Sequence, residues 1–375
     1  MLFAWLVALA QLQDSAPPAG RVVPDVQCAK APSQSYALYL PSAYTPSRAW
    51  PMILGFDPGG RGTVPVERYQ AAAEQYGYIV AGSNNSRNGA PEVGRIVATL
   101  TGDLFARLSI DERRVYAAGM SGGARVAFLV ALGSNAIAGV MASSAGYPDA
   151  TPRKRLPFPV FATTGTEDFN HMEMRLLDRE LTTPHRLVVF EGGHRWLSAE
   201  LATEAVEWME VQAMKSRLKP TSDDELDRIL AKRTAAANAL TDEKEAFLAC
   251  QSIAADFDGL RDVSTVVARA AALGRNKTVR DALKKDRDED NREMRILEDV
   301  KAAELHLANN NERTAALIDL RQRWKELSDK AKKPDDSPER RLARRVLAGL
   351  GAGVRTTDPE YLKIIAEYRV ARGGR

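Results

Sequence analysis

The stretch from Arg113 to Ala124 constrains the fold of this chain more than any other part of the sequence. It begins with residues typical of a β-strand, passes through Gly119-Met120-Ser121-Gly122-Gly123, and continues into a helical pattern that ends near Leu132. The five central residues match G-x-S-x-G, in which a serine stands on a sharp strand-to-helix turn. Side chains two residues either side of the serine would collide there, and glycine removes the collision. A glycine-rich turn with an incidental serine would match the same pattern. Residues elsewhere in the chain therefore have to decide whether Ser121 is a nucleophile.

Strand-like and helix-like segments alternate on both sides of this turn. The continuous apolar run at 51–56 is typical of a strand that is buried on both faces of a parallel sheet, and 158–164 is predicted to be a further strand. Helical patterns, such as those at 66–76 and 92–108, separate the strands. The alternation predicts an α/β fold with a doubly wound, mostly parallel sheet, and ligands bind such sheets at the carboxyl ends of the strands.

The composition changes at Lys219-Pro220. From 221 to 375 there is no strand pattern, and Ala, Leu, Glu, Lys and Arg recur with helical periodicity. We therefore predict an α/β catalytic domain at 20–218 followed by an all-α domain at 219–375. The segment 299–330 resembles a degenerate tetratricopeptide-like pair, although no clear self-similarity at 34 residues accompanies it.

The first ten residues form an apolar run that is too short to span a bilayer. The run fits the hydrophobic region of an export signal at 1–19, although no Lys or Arg precedes it. A frayed N-terminal helix would produce the same run. The expectation is an exported protein, periplasmic or secreted, with no membrane span in the mature chain.

The composition argues against several classes of function. The formal net charge is only +3, and no basic tract is interleaved with aromatic residues, so nucleic acid is not an expected partner. Cys28 and Cys250 form no C-x-x-C motif or Cys/His cluster, so neither a metal site nor a disulfide framework is indicated. A single disulfide between the two cysteines is the alternative, but two separate buried thiols are favoured. We expect no metal and no cofactor.

A serine nucleophile needs a base to accept its proton, and the base needs an acid to orient it. His194 follows the last predicted strand within a Gly-Gly-His run, which places it at the carboxyl edge of the sheet. His185 lies at the opposite end of that strand, and His306 lies in the helical region. His171 could line the pocket, but the position of His194 makes it the predicted base.

The acid is predicted to be Asp168, at the end of the penultimate strand, with its neighbour Glu167 as the alternative. The nucleophile, acid and base then follow in the order Ser121, Asp168, His194. This is the chain order of α/β-hydrolases. Three strand-end positions in that order favour a catalytic site over an incidental serine.

An oxyanion intermediate needs two N–H donors. The first is Gly122, at the start of the helix after the serine. The second is expected from the loop 57–62, where Pro58 has no N–H, so Gly59 is preferred and Gly60 is next. Three further residues are predicted to contact substrate, and they are Arg61, Asn84 and Trp196.

Residues 35–215 resemble esterase-type α/β-hydrolases, including polyhydroxybutyrate-depolymerase-like, feruloyl-esterase-like and dienelactone-hydrolase-like enzymes. The resemblance is carried by Gly119–Gly123, the acid turn Gly165-Thr166-Glu167-Asp168 and the pair Gly193-His194. It implies cleavage of carboxylic esters through an acyl-enzyme. One departure is Asp57-Pro58, where such families usually have His-Gly, and this leaves the substrate class and the oxyanion geometry open. The resemblance does not cover 221–375.

Two other functions fit the same residues. A peptidase or thioesterase uses the same triad, so a small-molecule or polymeric ester is not the only substrate class that the motif allows. Alternatively, the α/β unit is a non-catalytic scaffold and the helical domain binds a protein partner, as helical hairpins commonly do.

Overall fold

The computed structural model describes residues 17–148, 154–351 and 357–369. The predicted export signal at 1–19 falls almost wholly outside these ranges, so export stays a prediction. Within the described ranges, no helix is both long enough and apolar enough to cross a membrane.

The N-terminal half of the chain forms one mixed β-sheet. Its strands are β1 (Val22–Cys28), β2 (Ala31–Tyr39), β3 (Trp50–Phe56), β4 (Ile79–Ser83), β5 (Ile110–Met120), β6 (Ile137–Ser143), β7 (Val160–Gly165) and β8 (His185–Phe190). Their order in the sheet is β1-β2-β4-β3-β5-β6-β7-β8. The pairs β1–β2 and β2–β4 are antiparallel. The remaining pairs, from β4–β3 to β7–β8, are all parallel. The predicted mostly parallel sheet is confirmed.

Helices cover both faces of this sheet. They are α1 (Thr63–Tyr76), α2 (Val93–Arg107), α3 (Gly122–Gly133), α4 (His171–Glu180) and α5 (Ala199–Lys215). α2, α3 and α4 pack on one face, whereas α1 and α5 pack on the other. Consecutive residues of β3 point to opposite faces, so Leu54 joins the first core and Ile53 the second. Burial on both faces is the physical reason for the continuous apolar strands.

The edge strand β1 is absent from the sequence-based prediction. Apart from the buried Cys28, its residues alternate irregularly between exposed and half-buried, and Pro24 lies within it. Proline removes a backbone donor and is tolerated mainly on edge strands, so the local pattern does not indicate a strand. Pairing with β2, with two register shifts, creates β1.

Every secondary-structure element that the structure describes in the C-terminal region is a helix, as predicted. Its helices are α6 (Asp223–Ala239), α7 (Glu243–Phe257), α8 (Ser264–Arg275), α9 (Lys277–His306), α10 (Arg313–Ala331), α11 (Pro338–Gly349) and α12 (Pro359–Tyr368). These helices enclose two apolar clusters, one built by α9 to α12 and the other by α6, α7, α8 and the end of α5. The division into two domains and the helical repeat stay predictions.

The two cysteines are free and buried. Cys28 belongs to the core on the α2–α4 face of the sheet, whereas Cys250 belongs to the cluster that α5 shares with α6, α7 and α8. The thiols thus occupy separate cores, in agreement with the favoured interpretation of two unrelated buried cysteines.

Candidate active site

Ser121 lies on the turn between β5 and α3, with φ 54° and ψ −123°. Its N–H donates to Ser143 O at 2.9 Å, which ties the turn to the neighbouring strand β6. A Cβ atom on Gly119 would lie 2.2 Å from Gly123 O, and a Cβ atom on Gly123 would lie 1.9 Å from Phe56 O. Backbone therefore fills the space that either side chain would need, which is the crowding that the G-x-S-x-G pattern predicts.

His194 lies between the other two predicted residues of the triad. Its Nε2 is 2.8 Å from Ser121 Oγ, and its Nδ1 is 2.8 Å from Asp168 Oδ1. Because a carboxylate only accepts hydrogen bonds, Nδ1 carries the proton and Nε2 is left to accept from the serine hydroxyl. The Asp168 side chain is fully buried and the His194 side chain is 11% exposed. Asp168 Oδ1 also accepts the N–H of Asn170 at 2.8 Å.

The loop that carries the acid (165–169) and the loop that carries the base (191–196) are joined by backbone hydrogen bonds. Thr166 N–H donates to Phe190 O and Glu167 N–H donates to Gly192 O, each at 2.8 Å. A Cβ atom on Gly165 would lie 2.2 Å from Gly192 O, so a side chain there would separate the loops. This close approach fixes the distance between Asp168 and His194.

Phe169 is a residue of the site that the sequence analysis missed. Its ring lies against the His194 ring, with centroids 4.0 Å apart and planes inclined by 30°. On its other side it approaches α11, because a Cβ atom on Gly349 would lie 3.3 Å from Phe169 Cβ. Its place directly after the predicted acid is the only sequence signal that could have pointed to it.

The alternative acid, Glu167, faces α11 instead of His194. Glu167 Oε2 lies 3.0 Å from Arg344 Nε. One residue further along the helix, Arg345 Nη1 donates to Thr166 O at 2.6 Å. The helical region therefore contacts the acid loop directly, and it holds the main chain two residues before Asp168.

The other three histidines lie away from the serine hydroxyl. His171 Nδ1–H donates to Gly165 O at 3.0 Å, behind the acid loop. Burial and the nearby Arg345 charge lower the pKa of His171 to about 3, so the ring is neutral at ordinary pH. His185 hydrogen-bonds to backbone carbonyls, and His306 pairs with Glu312 on the surface. His171, which could have lined the pocket, has a buried ring and is not among the residues that line the cavity beside His194.

The predicted second oxyanion donors have other acceptors. Gly59 N–H donates to Asp57 Oδ1 at 2.9 Å, and Gly60 N–H donates to Asp57 O at 3.0 Å. The geometry therefore goes against the prediction for both glycines in this conformation. For Gly59 the physical reason is the Asp57 carboxylate, which turns back over its own loop, and for Gly60 it is a backbone turn closed on the Asp57 carbonyl.

Asp57 is fully buried and organises this side of the site. Its carboxylate accepts from Arg61 Nε at 2.9 Å and from Trp196 Nε1 at 2.9 Å. Burial opposes ionisation of Asp57, but hydrogen bonds from Arg61, Trp196 and Gly59 hold the pKa of its carboxyl below the ordinary value. Two predicted substrate contacts, Arg61 and Trp196, are thus brought together here, and both line a cavity of about 520 Å³ beside His194.

Asn84 has a structural role in place of the predicted substrate contact. Its Oδ1 accepts from Gly62 N–H at 3.0 Å, and its Nδ2 donates to Ser35 Oγ at 3.0 Å. In the same loop, the Asn88 side chain lies against the elbow, since a Cβ atom on Gly122 would lie 1.8 Å from Asn88 Oδ1. Asn88 is not among the site residues predicted from the sequence.

No group of three or more His, Cys, Asp or Glu side chains in the described ranges could hold a metal ion.

The chain resembles solved esterase structures across about half its length. No protein-family model matches it, and the comparison with curated proteins finds no match. A thermostable esterase aligns at 15% identity and TM-score 0.39, covering 50% of this chain and 61% of that one. Apo esterase 2 of Thermogutta terrifontis aligns at 14% identity and TM-score 0.42, covering 52% and 96%. A feruloyl esterase module from Clostridium thermocellum, complexed with sinapinate, aligns at 17% identity and TM-score 0.40, covering 51% and 87%.

These likenesses concern the fold alone. The strand order and the serine turn after the central strand β5 are the α/β-hydrolase fold that the sequence resemblance predicts.

Proposed function

We propose that this protein is a serine hydrolase that cleaves carboxylic esters through an acyl-enzyme. The observation that carries the proposal is the line of hydrogen bonds from Ser121 Oγ through His194 to Asp168 Oδ1. A hydroxyl, an imidazole and a buried carboxylate in this order are the groups that acyl transfer needs.

In the proposed reaction, Ser121 Oγ attacks the ester carbonyl carbon while its proton moves to His194 Nε2. Asp168 stabilises the imidazolium through Nδ1–H. When the tetrahedral intermediate collapses, the C–O bond to the alcohol breaks and Nε2–H protonates the leaving alkoxide. Water then attacks the acyl-enzyme with the same base, which releases the acid and restores Ser121.

The negative charge on the carbonyl oxygen needs donors at the elbow. Gly122 N–H, in the first turn of α3, is the proposed first donor. For the second we propose the Asn88 side-chain amide in place of Gly59, because it lies directly over Gly122. A half-turn of the amide about Cβ–Cγ presents Nδ2 to the position that Oδ1 now occupies.

An activity-based probe tests the nucleophile. A fluorophosphonate is expected to label Ser121, and Ser121→Ala is expected to lower kcat for a p-nitrophenyl short-chain ester by about ten-thousandfold or more. Ser134→Ala, at the exposed C-terminal cap of α3, is the matched control and should keep full activity. Folded wild-type protein that takes up no probe at Ser121 would contradict the proposal.

The substrate class is tested separately, because the same triad cleaves amides and thioesters. Matched acetyl ester, thioester and peptide substrates should rank with the ester first in kcat/KM. A higher kcat/KM for the thioester or the peptide would be consistent with the serine mechanism but would contradict the assignment of esters as the substrate class.

A further inference from the structure

The charged side chains that line the cavity beside His194 are mostly positive. It lies between the start of α1 and the base loop, and its volume of about 520 Å³ is typical of small-molecule sites. Three arginines line it, Arg61, Arg68 and Arg195, whereas Glu191 is the one acidic residue of its lining among the described residues. An esterase pocket for a neutral acyl chain needs no such charge.

Two carboxylates beside the cavity, Glu191 and Asp57, already have cationic partners. Glu191 Oε1 lies 3.3 Å from Arg341 Nη1 on α11, and its Oε2 accepts from Thr166 Oγ1 at 3.1 Å. Asp57 is buried beneath Arg61 and has no exposed surface for a ligand. Asp57 therefore pairs with Arg61 and Glu191 with Arg341, and among the described residues neither carboxylate lies within 4 Å of Arg68 or Arg195.

The positive charges, by contrast, are open to the cavity. The Arg61 side chain is 66% exposed, and it uses only Nε and Nη2 to reach Asp57. Arg195 donates to the Glu191 carbonyl oxygen at 2.7 Å, and its guanidinium lies 5.1 Å from the Phe190 ring centroid. Within the described ranges, neither Arg68 nor Arg195 has a carboxylate within 4 Å, and the charge of Arg68 is felt by exposed Glu200.

We infer that this cavity binds a carboxylate on the substrate, so that the ester cleaved at Ser121 is one that carries a second, free carboxyl group. The guanidinium forks of Arg68 and Arg195 match a carboxylate in shape and charge. Trp196 and Phe190 supply apolar surface for the carbon body of the same group. This inference rests on the proposed ester hydrolysis.

Two matched substrate pairs test the inference. On the alcohol side the pair is 4-acetoxybenzoate and 4-acetoxybenzamide, and on the acyl side it is monomethyl adipate and dimethyl adipate. The wild-type protein should prefer the anionic member of at least one pair by about tenfold in kcat/KM, mainly through KM, as one charge-assisted contact allows.

The variants Arg68→Gln and Arg195→Gln should each reduce that anionic-to-neutral ratio by about threefold to tenfold, and 0.5 M salt should reduce it further. Arg179→Gln, exposed on α4 and outside the cavity, is the control and should leave the ratio unchanged. Equal kcat/KM within both pairs would overturn the inference, and so would an unchanged ratio in both variants. In either case, labelling of Ser121 with hydrolysis of the neutral esters would leave the proposed function standing. Absence of both Ser121 labelling and hydrolysis of any ester would instead contradict the proposed function.

Discussion

At the scale of single residues, the site depends on a serine in an unfavourable backbone conformation. A positive φ at a non-glycine residue outside the common regions costs about 1–3 kcal/mol, so the surrounding structure has to hold Ser121 in place. Hydrogen bonds do this on both sides of the residue: its N–H donates to Ser143 O, and its carbonyl accepts from Ala124 N–H at 3.0 Å. The close packing of Gly119 and Gly123 against backbone completes the turn.

Gly123→Ala tests this packing. Its Cβ would lie 1.9 Å from Phe56 O, so we expect a loss of several kcal/mol in unfolding free energy or no soluble protein. Gly102→Ala is the matched control, because Gly102 lies exposed in α2 with nothing within 4 Å. It should raise stability by about 0.5–1 kcal/mol. Urea unfolding of both variants provides the measurement, and a wild-type midpoint for Gly123→Ala would refute the packing argument.

His171 should make the protein sensitive to mild acid. Its folded pKa of about 3 lies below its ordinary value of 6.5, so between these values the unfolded chain binds more protons than the folded one. Stability should therefore be unaffected by this group above pH 6.5 and fall as the pH drops toward 3, by at most about 1.4 kcal/mol per pH unit. His171→Asn keeps a donor for Gly165 O but does not titrate, so its urea midpoints at pH 7 and pH 5 should differ less than those of the wild type. An equal change in the urea midpoint between pH 7 and pH 5 in both proteins would show that His171 does not contribute to the loss of stability in acid.

At the scale of elements, α11 is the helix that links the helical region to the site. Its apolar residues join the cluster of α9 to α12, whereas its arginines face the acid and base loops. Arg345 is the most buried of these arginines, with an ion pair to Glu293 whose side chain is 4% exposed. Through Arg345 and Thr166 O, the position of α11 is tied to the backbone beside Asp168.

We expect Arg345 to position the acid loop. Arg345→Met alone would leave Glu293 buried and unpaired at a cost of about 3–5 kcal/mol, so the informative variant is Arg345→Met with Glu293→Gln. This double variant should stay folded and lower kcat by about tenfold, with KM changed less than twofold, because binding is retained while Asp168 is held less well. Arg345→Lys should restore part of kcat. Arg292→Gln, which removes an exposed pair between α9 and α11, is the control, and an unchanged kcat in the double variant would remove the positioning role.

At the scale of the whole molecule, α5 belongs to two cores at once. One part of it covers the sheet with α1, and its end packs Val211 and Met214 against α6, α7 and α8. Trp208 Nε1 donates to Asp256 Oδ1 at 2.8 Å across the same boundary. Helices on the two sides of the predicted boundary at 218–219 therefore pack on each other.

Truncation should show where the folding units end. Residues 20–218 alone would expose the buried end of α5, so we expect aggregation or no cooperative unfolding transition. Residues 20–276 keep the cluster of α5 to α8 and should fold with a cooperative transition, but without α11 their kcat should be reduced about as much as in the Arg345 double variant. Calorimetry and ester kinetics of both fragments check this. A stable and fully active 20–218 fragment would contradict it.

The α/β alternation, the helices of the C-terminal region and the meeting of Ser121, Asp168 and His194 could be predicted because each depends on local pattern. A strand buried on both faces, an amphipathic helix and a serine between spaced glycines leave signals within about ten residues. The parallel order of the strands then places their ends at one edge, so three separate loops meet without further information.

Other features were decided only by tertiary structure. Which acceptor takes Gly59 N–H depends on the rotamer of Asp57, and besides Arg61 that rotamer is held by Trp196, 139 residues away. The contact of Arg345 with Thr166 O joins residues 179 apart in the chain. Hydrogen bonds and ion pairs at such separations have no periodicity along the sequence, because they exist only after the helices and the sheet have packed.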